Sequence, residues 1–455
     1  MSRAPRDVTG RASCGPGCPT SGTAARCEGV VRFGPAGTIH RSRWPNGLRL
    51  LVHEDHAAPV VSFQSWLDVG SRHEQPGGTG LAHLFEHLMF NEAEGLPPGT
   101  FDRRIEAMGG QTNAATWTDW TYYHDEVPAD ALGELLDLEA RRFARLVLHA
   151  PQVRCEKDVV ANERRLRVED DVDGTMGELL WATAFRRHPY RWPTIGWMED
   201  IQRFTVADAR RFYRTFYVPG RLVLVAAGDV DPTSLHAEVD ARYGRLRARR
   251  SEAPPTVREP AQRGERRVER RLPTEVERLA VGWRAPAYPD ARWVALDVTL
   301  DLLAGGRSSR LYRRLVEEEE VATSVRGSLA PFRDPGLLEL WVTLRPGRSA
   351  EEALALLDAE IERLLREGPN PEEIGKSTAR LELGLLSQML TVEGRAEEIG
   401  FHEIVTGRPD WPWRRLQRAR RLRPERLLGV ARATLRPTAR TVIVARPLTR
   451  EEASA

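Results

Sequence analysis

The chain has 455 residues, with 41% hydrophobic and 29% charged side chains and a formal net charge of +2. That length exceeds one compact domain, and that apolar fraction supports a buried core, which excludes an intrinsically disordered protein. The near-neutral balance excludes a global attraction to nucleic acid or to an anionic membrane, and no run of about 18 apolar residues is present to span a bilayer.

Positive charge is almost all arginine, with lysine only at Lys157 and Lys376. The arginines are scattered among Asp and Glu, a compositional bias rather than a binding patch. The opening stretch, MSRAPRDVTGRASCGPGCPTSGTAARCEG, is rich in Gly, Pro, Ser and Thr, and residues 1–39 read as a disordered tail. It has no apolar h-region, so no secretory signal is read and the expected location is cytoplasmic. Cys14, Cys18 and Cys27 lie in this tail and Cys155 elsewhere. No second ligand pair follows at a familiar spacing, so the three read as reduced thiols.

Ordered structure is expected from a strand at 47–55, after the Asn46-Gly47 turn, followed by a second strand at 59–71. In GTGLAHLFEHLMFN, apolar residues at 81, 84, 85, 88 and 89 keep the helical period, with Thr79 as the candidate N-cap. Residues 109–127 read as two strands rich in Thr, Trp and Tyr. Helical patterns follow at 129–146, 151–170, 174–187 and 206–217, then a buried strand at 221–229. Residues 247–265 are rich in Pro and Arg without an apolar period, as in a linker. Beyond them come strands, helices near 291–304 and 348–366, a long helix from about residue 370, and a closing strand.

Two segment pairs repeat at a shared offset of roughly 210 to 220 residues. Residues 212–232 resemble 430–449, and 99–116 can be laid on 308–325. A common offset favours duplication. The predicted fold class is therefore α+β: two homologous α+β domains, 40–246 and 266–455, joined by the linker.

The acidic run 317–320 reads as a solvated helix end, and GGRSSRLYRR at 305–314 does not follow the phosphate-loop spacing. Trp411 and Trp413 read as packing anchors in a loop. No Gly-x-Ser-x-Gly is present to propose a serine nucleophile.

Chemistry concentrates at residues 82–90, AHLFEHLMF. On a helix, His83 and His87 are one turn apart on one face and can grip one tetrahedral cation, while Glu86 reaches the edge of that face. A third protein ligand is required. Residues 155–170 are a helical pattern with Val159, Val160 and Leu166 on its expected apolar side. Glu156 and Glu163, two turns apart, lie on nearly the same face as each other, and either completes a His₂Glu set with a fourth position open to water.

GTGLAHLFEHLMF, followed by EKDVVANE, resembles the inverted H-x-x-E-H site of the pitrilysin-type, or M16, zinc metallopeptidases. TNAATWTDWTYYHDEVP, HPYRWPTIGWMEDI and FYVPGRLVLVAAGDVD match that family's bacterial members in order and spacing. The resemblance covers about residues 40–450, and only the tail lies outside it. It implies the duplicated M16 fold and one zinc ion held by His83, His87 and Glu163. Glu86 is implied as general base and Glu156 as a second acidic residue beside the site. Asn113, Ala114 and Ala115 are implied on a strand that pairs with a peptide or unfolded-protein substrate. Bacterial relatives are often exported, which keeps the periplasm open as a location.

In active family members the second half supplies an arginine and a tyrosine seven residues apart. Here Val316 and Thr323 stand at those positions, and Arg313 and Arg314 are out of register. Valine offers no donor and threonine's hydroxyl is short for a phenol's task. The resemblance thus implies a homologous partner subunit carrying Arg and Tyr, with a homodimer as the rival. A structural or peptide-binding subunit without catalysis is the alternative function.

Overall fold

In the computed structural model, residues 26–249, 257–449 and 452 are described. Aliphatic and β-branched runs build two sheets. β1 (Arg26–Arg32), β2 (Thr38–Arg43), β3 (Arg49–Glu54), β4 (Val60–Leu67), β5 (Gln111–Thr116), β6 (Thr121–Pro128) and β7 (Leu222–Gly228) form the first, in the order β1-β2-β3-β7-β4-β6-β5. β8 (Arg266–Leu272), β9 (Arg278–Arg284), β10 (Ala322–Leu329), β11 (Leu337–Leu344) and β12 (Arg440–Pro447) form the second, in the order β10-β11-β9-β12-β8.

The duplication read from the repeat is visible in this topology. Each sheet has one parallel pair, β3 with β7 and β8 with β12, among antiparallel neighbours. β5 and β10, from the paired segments near 111 and 322, are both edge strands. β7 is buried along its whole length, as its unbroken apolar run requires of a strand covered on both faces.

Each half lends a helix to the other half's sheet. The helix Val172–Ala184, from the first half, sets Val172, Met176 and Leu180 against Ala280 and Ile443 of the second sheet. The helix Val392–Thr406, from the second half, sets Ala396, Ile399 and Val405 against Trp66, Val223 and Val225 of the first. Gly400 is the contact point, because a Cβ there would stand 2.1 Å from Trp66 Nε1. Polar ties cross the same boundary: Asp119, buried in the β5–β6 turn, accepts from the Tyr190 hydroxyl at 2.9 Å and from the Arg333 backbone N–H at 2.7 Å. Each half therefore keeps a core of its own, and two further apolar clusters are shared between the halves.

Four expectations change. The expected tail of 1–39 is shorter, because β1 pairs with β2 from Arg26 and Phe33 is fully buried; Cys14 and Cys18 lie outside the described residues. The described part of the expected linker, 257–265, is anchored by Glu259, which accepts backbone N–H groups of Arg186, Arg187 and His188. Trp411 and Trp413 open the helix Trp411–Arg420 instead of lying in a loop, although both pack on aromatic neighbours. Thr79 does not cap its helix; Gly80 occupies that position.

Candidate metal centre

The histidines sit on the helix Leu81–Leu88. Ala82, Leu84, Phe85 and Leu88 are buried, which fixes the helix by its apolar face and turns His83 and His87 to the opposite one. The helix start is over-determined. Gly80 is left-handed at φ 92°, and a Cβ there would stand 2.3 Å from the Ile195 carbonyl oxygen. Buried Glu74 accepts the Gly80 N–H at 2.9 Å and the Ala82 N–H at 2.7 Å, satisfying donors a helix N-terminus leaves open. Burial pushes the Glu74 carboxyl up to about 8, against those two bonds. Thr79 instead donates its hydroxyl to Asp200 at 2.6 Å, tying the approach to the helix into the core.

The carboxylates come from the helix Ala150–Arg164, which continues as a π-turn, Arg165–Glu169. Glu163 Oε2 stands 3.6 Å from His83 Nε2 and 3.5 Å from His87 Nε2. One ligand atom from each of these three residues falls within 4.8 Å of the others. A tetrahedral ion bonded at about 2.1 Å separates its ligand atoms by about 3.4 Å, close to the two Glu163–histidine spacings, and the donor set suits zinc in type. Glu156 lies on the other side of His87, 3.4 Å from its Nδ1, and accepts from Asn91 at 2.9 Å. Spacing alone left Glu156 and Glu163 equivalent; only Glu163 faces both histidines.

The electrostatics follow from crowding. Burial lowers His83 to about 4, helped by its neighbour His87. Burial also pulls His87 down, but the Glu156 and Glu163 carboxylates overcome it and raise His87 to about 9. Bonding to His87 holds Glu156 and Glu163 below the usual carboxylate range. Glu86 behaves differently. Burial raises its pKa against a hydrogen bond from Thr116, and its Oε2 is buried without a hydrogen-bond partner. Glu86, His87, Phe90, Asn91 and Glu156 line a cavity of about 330 Å³ that gives access to the group.

Asn113, Ala114 and Ala115 lie on β5, which among the described residues pairs only with β6, so its far edge is unpaired by them beside the histidine helix. Thr323 lies on β10 and donates its hydroxyl to the Thr343 carbonyl at 3.2 Å; Val316 packs against the core of the second half. Val159 and Leu166, expected to be buried, are 44% and 71% exposed. Only Val160 of that trio enters the core, while the carboxylates of the same helix face the histidines. Sequence reasoning missed Arg167, whose Nε lies 3.1 Å from Glu163 Oε1; the i,i+4 spacing was the available signal.

Comparison with known proteins accords with this geometry. Residues 49–196 match the family model described as Insulinase (Peptidase family M16), and residues 203–381 match Peptidase M16 inactive domain. Zinc protease PqqE of Helicobacter pylori is 30% identical over 335 residues, covering 73% of this chain and 76% of that protein. An uncharacterized zinc protease of Mycobacterium tuberculosis is 31% identical over 375 residues, covering 81% of this chain and 84% of the relative. The crystal structure of a protease from Helicobacter pylori superposes with a TM-score of 0.86 at 27% identity, covering 90% of this chain and 99% of that one. The chain belongs to the M16 peptidase family, whose relatives here carry the name zinc protease.

Proposed function

We propose that this chain is a zinc-dependent endopeptidase that hydrolyses peptides or unfolded polypeptides, and that it works with a homologous partner subunit. The observation that carries the reading is the convergence of His83, His87 and Glu163 beside a buried Glu86 whose pKa is raised. His83 and His87 through Nε2 and Glu163 through Oε2 would hold the ion, which when bound supplies a Lewis acid for the scissile carbonyl and its attacking water. Glu86 takes the water proton and passes it to the leaving amine; a carboxylate with a raised pKa is suited to both transfers. Glu156 orients His87. The open edge of β5, at Asn113, Ala114 and Ala115, accepts the substrate as an added strand, so backbone hydrogen bonds supply affinity without strict sequence demands.

Partner dependence rests on Val316 and Thr323. Neither supplies a donor to an oxyanion, and the Thr323 hydroxyl is committed to its own sheet. The same pair favours the second reading, a peptide-binding subunit that does not itself catalyse. No helix among the described residues is long and apolar enough to cross a membrane. The test of the reading is zinc content of purified wild type against His87→Ala. One ion in the wild type and none in the variant is expected; equal zinc in the two would overturn it.

A further inference from the structure

Glu163 has two oxygens with different neighbours. Oε2 faces both imidazoles, at 3.6 and 3.5 Å, while Oε1 faces the Arg167 guanidinium, whose Nε is 3.1 Å away. Arg167 is also close enough for its charge to be felt at His83 and Glu86. Its side chain is 75% exposed, so the pair adds little to the stability of the fold. Its backbone, in contrast, is clamped. The π-turn Arg165–Glu169 that carries Arg167 is packed by the helix Val172–Ala184: a Cβ on Gly174 would stand 2.1 Å from the Arg167 carbonyl oxygen. The Thr175 hydroxyl donates to the Val168 carbonyl at 2.6 Å. A packed turn thus presents an exposed guanidinium to one particular oxygen.

We infer that Arg167 is a positioning residue that keeps Glu163 a one-oxygen ligand. This rests on the metal reading of the site given above. A carboxylate beside a small cation can offer one oxygen or both. If both oxygens of Glu163 bound, they and the two histidines would occupy four positions, and water could enter only as a fifth ligand. By engaging Oε1, Arg167 removes the second donor, and the fourth position stays open. Partners that bond a ligating carboxylate in this way typically change metal affinity by about 10- to 100-fold when removed. The exposure of Arg167 places it near the lower end of that range.

The test uses the full chain as wild type, Arg167→Ala and Arg167→Lys, with three readouts: zinc affinity by chelator competition, the visible spectrum after loading with Co²⁺, and melting temperature without metal. The Ala variant is expected to melt with the wild type, to hold zinc about 10-fold more weakly, and to lose the intense bands of four-coordinate Co²⁺ in favour of the weaker bands of a five-coordinate ion. The Lys variant, which keeps the charge and one donor, is expected to recover much of both metal readouts. An Ala variant with wild-type zinc affinity and an unchanged Co²⁺ spectrum would overturn the inference. Wild-type chain that takes up neither ion would instead overturn the metal reading itself, and the role of Arg167 with it.

Discussion

His87 is held from both sides, and the grip on its far nitrogen belongs to Glu156: Nδ1 lies 3.4 Å from Glu156 Oε2, while Nε2 faces Glu163. A carboxylate behind a ligating imidazole fixes the ring and its tautomer and strengthens its basicity. Glu156→Gln keeps the shape and removes the charge. Zinc affinity is expected to fall about 10-fold, with hydrolysis at saturating zinc largely retained. A chelator titration and a rate at saturating zinc measure the two effects separately. Loss of hydrolysis with zinc fully bound would show that Glu156 takes part in the chemistry.

The chain alone is expected to be a weak peptidase. An oxyanion donor is worth about 10²–10³ in turnover, and Val316 and Thr323 supply none. Rates on an unfolded peptide, with and without a homologous partner bearing the Arg and Tyr, decide the matter. A large gain on mixing is expected. Full turnover by the lone chain would refute partner dependence.

The exchange of helices between halves makes Gly400 a sensitive point. An added methyl would meet Trp66 Nε1 at 2.1 Å, and Trp66 is itself fully buried and stacked on Tyr122. Gly400→Ala is expected to cost about 1–3 kcal/mol, as overpacking a dense core does. Chemical denaturation measures it. Unchanged stability would mean that the helix Val392–Thr406 can shift on the first sheet without loss.

Acid should loosen the packing of the same helix. His402 is buried, accepts the Tyr288 hydroxyl at Nε2 (2.8 Å) and donates from Nδ1 to the Glu398 carbonyl (2.7 Å), a neutral tautomer with both nitrogens used. Burial lowers its pKa to about 3. Between that value and the unfolded value near 6.5, the unfolded chain binds a proton that the folded chain refuses. Stability therefore rises with pH across this window and is lost as pH falls through it, by up to about 1.4 kcal/mol per unit for this one group. His402→Gln should flatten the pH dependence of melting between pH 4 and 6.5 relative to wild type. An unchanged slope would exclude His402 as a contributor.

Much of this was legible in the sequence because the signals are local. Helix 291–304 falls at its predicted residues, and β7 lies within the apolar run that foretold it. The repeat offset anticipated two domains of similar fold, and its paired segments lead into the edge strands β5 and β10. What stayed hidden depends on distant partners. Thr79 has the chemistry of a cap, yet Asp200, far along the chain, takes its hydroxyl. Val159 and Leu166 have the composition of a core, yet the carboxylates beside them are needed at the histidines and the helix turns accordingly. The periodicity of residues 392–406 does not say that their apolar side covers the other half's sheet.

The central claim is that Glu86 moves the proton while His83, His87 and Glu163 hold the metal. Glu86→Gln separates the two roles, since glutamine is nearly isosteric but accepts no proton. The measurement is zinc content and peptide hydrolysis on the same purified sample, with the partner present. The account predicts one bound zinc and a rate lower by about 10²–10⁴. Zinc retained together with hydrolysis near the wild-type rate would contradict it.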